Sequence, residues 1–228
     1  MKFGKTLRES IYAQWKDEYI DYNKLKTLLR ERTDDDDAQW TEDDEQRFCD
    51  EMFNVQLEKV TRFQEMTFTS IRDRVNVAFD TLRDQAPKEK QETTPAQKEK
   101  MKEVEKELDE LTKDIRELKS FTRINYTGFQ KIAKKHDRKR GGRYKVRPMM
   151  QVTMSNRPFT TETSYSPLLK KLSIMYFIIR QHLEEDGSGK VPVEPVDLEN
   201  NGEVQNGERY TAYKCERSRP RYATRTSH

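Results

Sequence analysis

A heptad repeat of apolar residues in the middle of the chain sets the strongest limit on its fold. These residues recur at alternating steps of three and four; they are Met101, Val104, Leu108, Leu111, Ile115 and Leu118. Glu, Lys and Asp fill most positions between them. This spacing places one apolar stripe along one side of an α-helix, as in a coiled-coil seam. The seam therefore predicts a long helix that needs a partner.

The preceding segment supplies that partner. A second stripe with steps of mostly three and four lies between residues 42 and 84; it consists of Phe53, Leu57, Val60, Phe63, Phe68, Ile71, Val75, Phe79 and Leu82. Forty residues of helix would be about 60 Å long, so this helix must lie against another long helix. Thr41 and Asp44 resemble a capping box at its start. We expect an antiparallel hairpin of two long helices, joined by the linker Ala86 to Pro95.

Shorter helices are predicted before and after this pair. Residues 2–15 and 19–32 form an N-terminal helical hairpin, and Ser166–Pro167 opens a last helix, because proline is favoured in a first turn. Asn125 begins a short helical segment, with capping by Asn125 and Thr127, which Gly141–Gly142 stops. An irregular or extended stretch is bracketed by two prolines, Pro148 and Pro158.

Composition agrees with long, solvated helices. Charged residues make up 37% of the 228 residues and hydrophobic residues 32%, well below the roughly 45–50% apolar content of a typical globular domain. We therefore predict an all-α fold, in which the N-terminal hairpin packs on the long antiparallel pair, in a three-helix-bundle-like arrangement with short C-terminal helices. Residues 1–185 form this domain, and residues 186–228 are predicted to be a flexible linker or tail, ending before any catalytic domain.

Several classes of protein are disfavoured. Cys49 and Cys215, together with three His, make neither a disulfide framework nor a convincing zinc site, so no metal is expected. The opening MKFGKTLRES has no apolar stretch of signal-peptide length, and the most apolar run, Leu172 to Ile179, is too short to span a bilayer. No phosphate loop, serine–histidine pairing or glycosidase-like carboxylate pair is present, so no catalytic residue and no cofactor is predicted.

Charge is unevenly distributed, although the net charge is only +3. Eleven acidic residues lie between Glu31 and Glu51, including a run at Asp34–Asp37 that we interpret as a solvated loop. Ten basic residues and a single acid, Asp137, lie between Ser120 and Pro148. A basic stretch of this kind is typical of an anion-binding surface.

Helical geometry places four of these cations together. At 100° per residue, Lys131, Lys134, Lys135 and Arg138 fall within roughly 100° of arc. The opposite face carries the apolar residues that should seat on the bundle; they are Tyr126, Phe129, Ile132 and Ala133. His136 falls on the apolar side and is predicted to be a core or boundary histidine.

Spacing alone leaves three interpretations of this surface open. It could be a solubilising helix face without a ligand, a site for a polyanion, or a surface for nucleic acid or membrane. A related alternative is a coiled-coil assembly module whose basic face only attracts acidic partners. The nucleic-acid interpretation is weaker, because the few aromatic residues of the stretch are on its apolar side and no recognised module is present.

Two motifs resemble a known family. The opening MKFGKTLRESIYAQWKDEYIDYNKLK, the later NYTGFQKIAKKHDRK and the long helical pair between them resemble an SPX domain over about residues 1–185. The sequence is most like SPX domains of the fungal vacuolar transporter chaperone complex, in particular the subunit with a polyphosphate polymerase. The resemblance implies a helical bundle that senses phosphate status by binding inositol polyphosphates and pyrophosphates, with a role in polyphosphate synthesis and phosphate homeostasis.

The resemblance also implies a ligand set and partners. The residues that match ligand positions of the family are Lys2, Tyr22, Lys26, Lys131, Lys134, Lys135 and Arg138, with Arg138 where lysine is usual. Inositol hexakisphosphate or an inositol pyrophosphate would be the ligand. Other subunits of the complex would be partners, nucleic acid would not, and the chain would be cytosolic, at the cytoplasmic face of the vacuole membrane. After Lys214 the chain departs from the family pattern, so only a longer relative would be an enzyme, a polyphosphate polymerase.

Overall fold

The computed structural model describes residues 3–29, 40–85, 93–140, 145–155, 157 and 165–183. Their elements are α1 (Phe3–Glu9), a 3₁₀ segment (Ala13–Glu18), α2 (Tyr22–Leu28), α3 (Glu42–Cys49), a π-helical segment (Asp50–Leu57), α4 (Glu58–Gln85), α5 (Pro95–Arg140), α6 (Val146–Ser155) and α7 (Ser166–Leu183). These elements are all helical, so the predicted all-α class is confirmed. The Asp34–Asp37 run, Gly141–Gly142 and the predicted tail at 186–228 lie outside the described residues.

Helices α4 and α5 form the predicted antiparallel pair. All six residues of the heptad seam are buried, none more than 6% exposed. The direction follows from two contacts. Arg74 Nε donates to Glu107 Oε1 at 2.8 Å, while the ring of Phe63, earlier in α4, lies 5.1 Å from the ring of Phe121, later in α5. Since the seam is buried within the chain, it is not available for the pairing of two chains that the assembly-module alternative needs.

Helix α7 completes a three-helix bundle with α4 and α5. Its inner face is at most 5% exposed; it consists of Leu168, Leu172, Met175 and Ile179. Tyr176 Oη donates to Asp109 Oδ1 of α5 at 2.8 Å, and Lys171 Nζ donates to Asn76 Oδ1 of α4 at 2.7 Å. The helix begins at Ser166–Pro167, as predicted. None of the helices described above is both long and apolar enough to cross a bilayer.

The predicted helix over residues 2–15 is wrong, because α1 ends early and the 3₁₀ segment follows it. The 3₁₀ segment is kinked at Trp15, where φ is −113° and ψ is 16°. Lys59 of α4 holds this region, since its Nζ donates to the carbonyl oxygens of Asp17 at 2.9 Å and of Tyr19 at 2.7 Å. Carbonyls that would be orphaned at a helix break are therefore satisfied by a distant side chain.

Helix α2 begins later than the predicted start at residue 19. Tyr22 is its first residue, and Asp21 caps it by accepting the N–H of Lys24 on Oδ1 at 2.9 Å. Its buried face includes Leu25 and Leu29, both 0% exposed. The predicted helical hairpin is thus confirmed in outline, with shorter helices.

The long helix that contains α3 and α4 starts at the predicted capping box. Thr41 Oγ1 accepts the N–H of Asp44 at 3.2 Å, and Asp44 Oδ2 accepts the N–H of Thr41 at 3.1 Å. The π-helical segment then widens the helix and rotates its buried face. Met52 is fully buried, while Phe53, which the predicted stripe placed in the core, is half-buried.

Asn125 lies inside α5, which corrects the predicted start of a separate segment there. Its side chain is 0% exposed, and Oδ1 accepts the N–H of Ile20 at 2.8 Å while Nδ2 donates to the carbonyl of Phe121 at 2.8 Å. Thr127 Oγ1 donates to the carbonyl of Arg123 at 2.8 Å. Neither residue is a helix cap, because α5 runs unbroken from Pro95 to Arg140.

The prediction of an irregular or extended stretch between Pro148 and Pro158 is wrong for residues 148–155, because they belong to α6. Pro148 lies in the first turn, where a backbone N–H has no partner within the helix and proline is tolerated. The inner face of α6 is at most 1% exposed; it consists of Val146, Met150 and Met154.

Candidate functional site

Four cations near the C-terminal end of α5 share one surface, which we call the basic face: Lys131, Lys134, Lys135 and Arg138. Lys135 is half-buried and the other three are exposed. The residues behind them are 0% exposed; they are Phe129, Ile132 and Ala133. The predicted division of this helix into a cationic side and an apolar side is confirmed.

Helices α1 and α2 lie along one side of the basic face, and Gly128 permits this. A Cβ at Gly128 would meet Ile20 Cγ2 at 3.1 Å and Phe3 Cε1 at 3.4 Å, so a larger residue would push the N-terminal hairpin away from α5. The ring of Tyr22 in turn packs edge-on against that of Phe3, at 4.9 Å. The hairpin therefore seats on α5 one turn before Lys131.

Tyr22, a predicted ligand residue, is next to the basic face. Its side chain is largely buried, and this burial raises the pKa of Tyr22 above 10.0, although the positive charge of Arg138 acts in the opposite direction. The phenol is therefore a neutral donor at neutral pH, and Arg138 is close enough to act on it. Lys26, one turn further along α2, is half-buried. Lys2 lies outside the described residues.

Helix α6 lies along the other side. Asp137 joins it to α5, since Oδ1 accepts the N–H of Val146 at 2.8 Å and Oδ2 accepts the N–H of Arg147 at 3.1 Å. Further on, Met154 Sδ lies 3.9 Å from Nε2 of Gln130. Because α6 therefore runs back along α5, the basic face lies between α1 and α2 on one side and α6 on the other.

A buried cluster lies behind the basic face. His136 is 0% exposed, as the sequence predicted. Its Nε2 lies 2.9 Å from Glu45 Oε2, its Nδ1 lies 3.2 Å from Asp137 Oδ1, and its ring stacks on Phe48 at 4.9 Å. Sequence reasoning missed Glu45, because nothing local connects it with a residue 91 positions away.

Arg140, the last residue of α5, is not part of the basic face and contacts Leu29 and Trp40 instead. Its Nη2 donates to the carbonyl of Leu29 at 3.0 Å, and its guanidinium lies 4.4 Å from the centre of the Trp40 ring. Trp40 Nε1 donates in turn to Glu45 Oε2 at 2.8 Å. In the parts of the chain that the structure describes, no three His, Cys, Asp or Glu side chains are grouped to hold a metal ion.

Cys49 is predicted to be an unreactive thiol. Burial, the charge of Glu45, a 3.6 Å contact with its Oε1 and the charge of Asp50 raise the pKa of Cys49 to about 12. At pH 8 about one thiol in ten thousand is then ionised, against roughly one in four for a free cysteine with a pKa near 8.5. We expect a Cys215→Ser variant to react with Ellman's reagent at least about 100-fold more slowly than glutathione at pH 8, and rapidly after denaturation. A native rate close to that of glutathione would contradict the burial of this thiol.

Several known proteins are similar in sequence to this chain. The family model described as the SPX domain matches residues 1–47. Subunit 2 of the vacuolar transporter chaperone complex of Schizosaccharomyces pombe is 33% identical over 196 residues, which cover 86% of this chain and 25% of that protein. The chain is thus similar to the SPX domain family over its first 47 residues, and to a subunit of this complex over most of its length. The predicted resemblance is therefore confirmed.

Another relative gives the same result for this chain. Subunit 4 of the same complex in Schizosaccharomyces pombe is 31% identical over 180 residues, which cover 79% of this chain and 24% of that protein. Subunits 2 and 4 thus match to a similar extent, which confirms the relation to subunits of this complex without favouring one of them. The chain spans about a quarter of the length of these relatives.

A solved structure is also similar to this chain. It is the SPX domain of Chaetomium thermophilum Glycerophosphodiester Phosphodiesterase 1, in complex with inositol hexakisphosphate. The TM-score is 0.61 and the sequence identity is 27%, and the match covers 78% of this chain and 99% of that chain.

Proposed function

We propose that this SPX domain binds inositol polyphosphates or pyrophosphates at the basic face and thereby reports phosphate status. The observation that carries the proposal is the position of the basic face, between α1 and α2 on one side and α6 on the other. The solved SPX domain with inositol hexakisphosphate supports it. The proposed ligand residues are Lys2, Tyr22, Lys26, Lys131, Lys134, Lys135 and Arg138.

The chemistry of the site suits a ligand with many phosphates. Each phosphate monoester carries roughly −1.5 to −2 charges near neutral pH, so the ligand needs several cations. Lysine ammonium groups on flexible stems can follow phosphates that point in different directions. The neutral hydroxyl of Tyr22 adds a hydrogen-bond donor without adding charge.

The proposed role is regulatory. Because cations from different helices contact one ligand, the bound state favours one arrangement of α1, α2 and α5 over others. A partner that recognises this arrangement would then respond to ligand concentration. On the basis of the relatives, we propose that the partners are other subunits of a vacuolar transporter chaperone complex at the cytoplasmic face of the vacuole membrane, and that the response controls polyphosphate synthesis and phosphate homeostasis.

Isothermal titration with inositol hexakisphosphate tests this proposal. We expect Lys131→Ala to weaken binding about tenfold, equivalent to about 1.4 kcal/mol, because one exposed cation is removed from the centre of the site. Lys102→Ala is the matched control, since Lys102 is exposed on the same helix, about 44 Å away along its axis, and should bind like wild type.

Two results would contradict the proposal. One is the absence of binding to wild type at physiological salt, and the other is equal affinity for wild type and Lys131→Ala. Preferential binding of a nucleic acid in a gel shift under the same conditions would favour the nucleic-acid alternative instead.

A further inference from the structure

We propose that Arg147, at the start of α6, is a further cation of the anion-binding site, so that a bound inositol polyphosphate bridges α5 and α6. This inference rests on the proposed function and adds a helix to the site. Neither the spacing on α5 nor the family motifs point to Arg147, because it lies on a different helix from the basic face.

The backbone places Arg147 beside the basic face. Its N–H donates to Asp137 Oδ2 at 3.1 Å. Asp137 is the immediate neighbour of Arg138 and lies three residues after Lys134. Side chains three or four residues apart on a helix have Cβ atoms about 5–6 Å apart. The Arg147 side chain therefore begins within about one helical turn of two cations of the basic face.

Because of the direction of α6, the side chain of Arg147 lies on the same solvent-exposed side of the molecule as the basic face. Helix α6 runs antiparallel to α5 with its inner face, including Met150, against the rest of the fold. At 100° per residue in a right-handed helix, Arg147 and Gln151 then lie on the side of α6 next to the basic face. Met149 and Val152, which are 56% and 64% exposed, lie on the side that faces away.

Asp137, the carboxylate that joins α5 to α6, is already occupied. Asp137 accepts the N–H groups of Val146 and Arg147, and its Oδ1 lies 3.2 Å from Nδ1 of His136. These contacts use the first N–H groups of α6 and offset the negative charge of Asp137. The group that α6 can offer to an anion is therefore the exposed guanidinium of Arg147, whose planar fork of donors matches the geometry of a phosphate.

A ligand held from both helices would restrict α6. At present α6 is attached near its start by the two backbone hydrogen bonds to Asp137 and by its buried face. An additional link from the Arg147 guanidinium through a phosphate to Lys134 or Arg138 would lower the frequency with which α6 separates from α5. Binding would then be detectable in the amide hydrogens of α6 as well as in those of α5.

The test uses the full chain and inositol hexakisphosphate at about 0.15 M salt. We expect Arg147→Ala to bind about three- to tenfold more weakly than wild type. Arg147→Lys should bind with an affinity between the two, because it keeps the charge but loses the planar fork of donors. Arg116→Ala, about 30 Å away along α5, is the matched control and should bind like wild type. Hydrogen exchange should show ligand protection of residues 146–155 in wild type and its loss in Arg147→Ala, while residues 131–138 stay protected.

The possible outcomes separate this inference from the proposed function. If wild type binds the ligand but Arg147→Ala binds equally well, with α6 still protected, the inference is wrong and the proposed function stands. If Arg116→Ala weakens binding as much as Arg147→Ala, the effect is one of net charge and the inference is also wrong. If wild type does not bind, the proposed function and this inference both fail. Circular dichroism checks that each variant is folded.

Discussion

A variant with Lys131, Lys134 and Arg138 all replaced by alanine is expected to bind inositol hexakisphosphate about 100- to 1,000-fold more weakly than wild type. The three side chains are exposed, so each contact with a phosphate is partly screened by solvent and contributes about 1 to 1.4 kcal/mol. Every 1.4 kcal/mol is a factor of ten in affinity. Since these side chains support no part of the core, the variant should fold and unfold like wild type.

Salt dependence distinguishes a specific site from general attraction. The affinity of wild type for the ligand should fall as the salt concentration is raised from about 0.05 to about 0.3 M. The affinity of the triple variant should fall less, because fewer protein charges contact the ligand. The control is a second triple variant, Lys100→Ala with Lys102→Ala and Lys106→Ala, which removes the same charge from exposed positions elsewhere on α5. Equal losses in the two triple variants would mean that net charge, and not the basic face, determines binding.

Replacement of His136 by alanine is expected to lower the free energy of unfolding by about 3 kcal/mol. His136 is 0% exposed, and it lies between carboxylate oxygens of Glu45 and Asp137, at 2.9 and 3.2 Å. Each polar group left without its buried partner costs about 1–3 kcal/mol, and the cavity left by a fully buried side chain adds to this loss. We place the value at the low end, because the side chains of both acids are partly exposed, 14% for Glu45 and 20% for Asp137.

Urea unfolding of a double-mutant cycle measures this contribution. The variants are His136→Ala, Glu45→Ala and the combination of the two. The combined variant should lose less stability than the sum of the single variants, by about 1–2 kcal/mol, because the contact between His136 and Glu45 is then counted only once. Strict additivity, or a loss below about 1 kcal/mol in His136→Ala, would show that the cluster does not hold α3 against α5.

His136 and its neighbours show which features of the site can be predicted from the sequence. The position of His136 on the apolar side of α5 follows from helical spacing, and so does the exposure of Lys131. The pairing of His136 with Glu45 does not follow from spacing, because those residues are distant in sequence and meet only when α3 lies against α5. Residues 135–138 therefore have a predictable orientation on their own helix, but their neighbours are set by the tertiary fold.

The positions of helix boundaries also depend on residues that are distant in sequence. The sequence predicts that the first helix extends to residue 15, whereas α1 ends at Glu9. It also predicts a separate segment that begins at Asn125, whereas α5 continues through this position. In both places a distant group decides the outcome, since Lys59 satisfies carbonyls of the 3₁₀ segment and the Asn125 side chain satisfies the N–H of Ile20. Local sequence does not contain the information about which remote donor or acceptor will satisfy a backbone group.

The sequence by itself determined the long antiparallel pair, the buried seam of α5 and the common direction of the four cations on the basic face. These features depend on a repeat of three and four residues, which the geometry of a single helix fixes. Only the tertiary structure decided that α2 and α6 lie on either side of that face and that the backbone N–H of Arg147 contacts Asp137. Those positions depend on contacts such as Gly128 with Ile20 and Asp137 with α6, which form only when segments distant in sequence pack together.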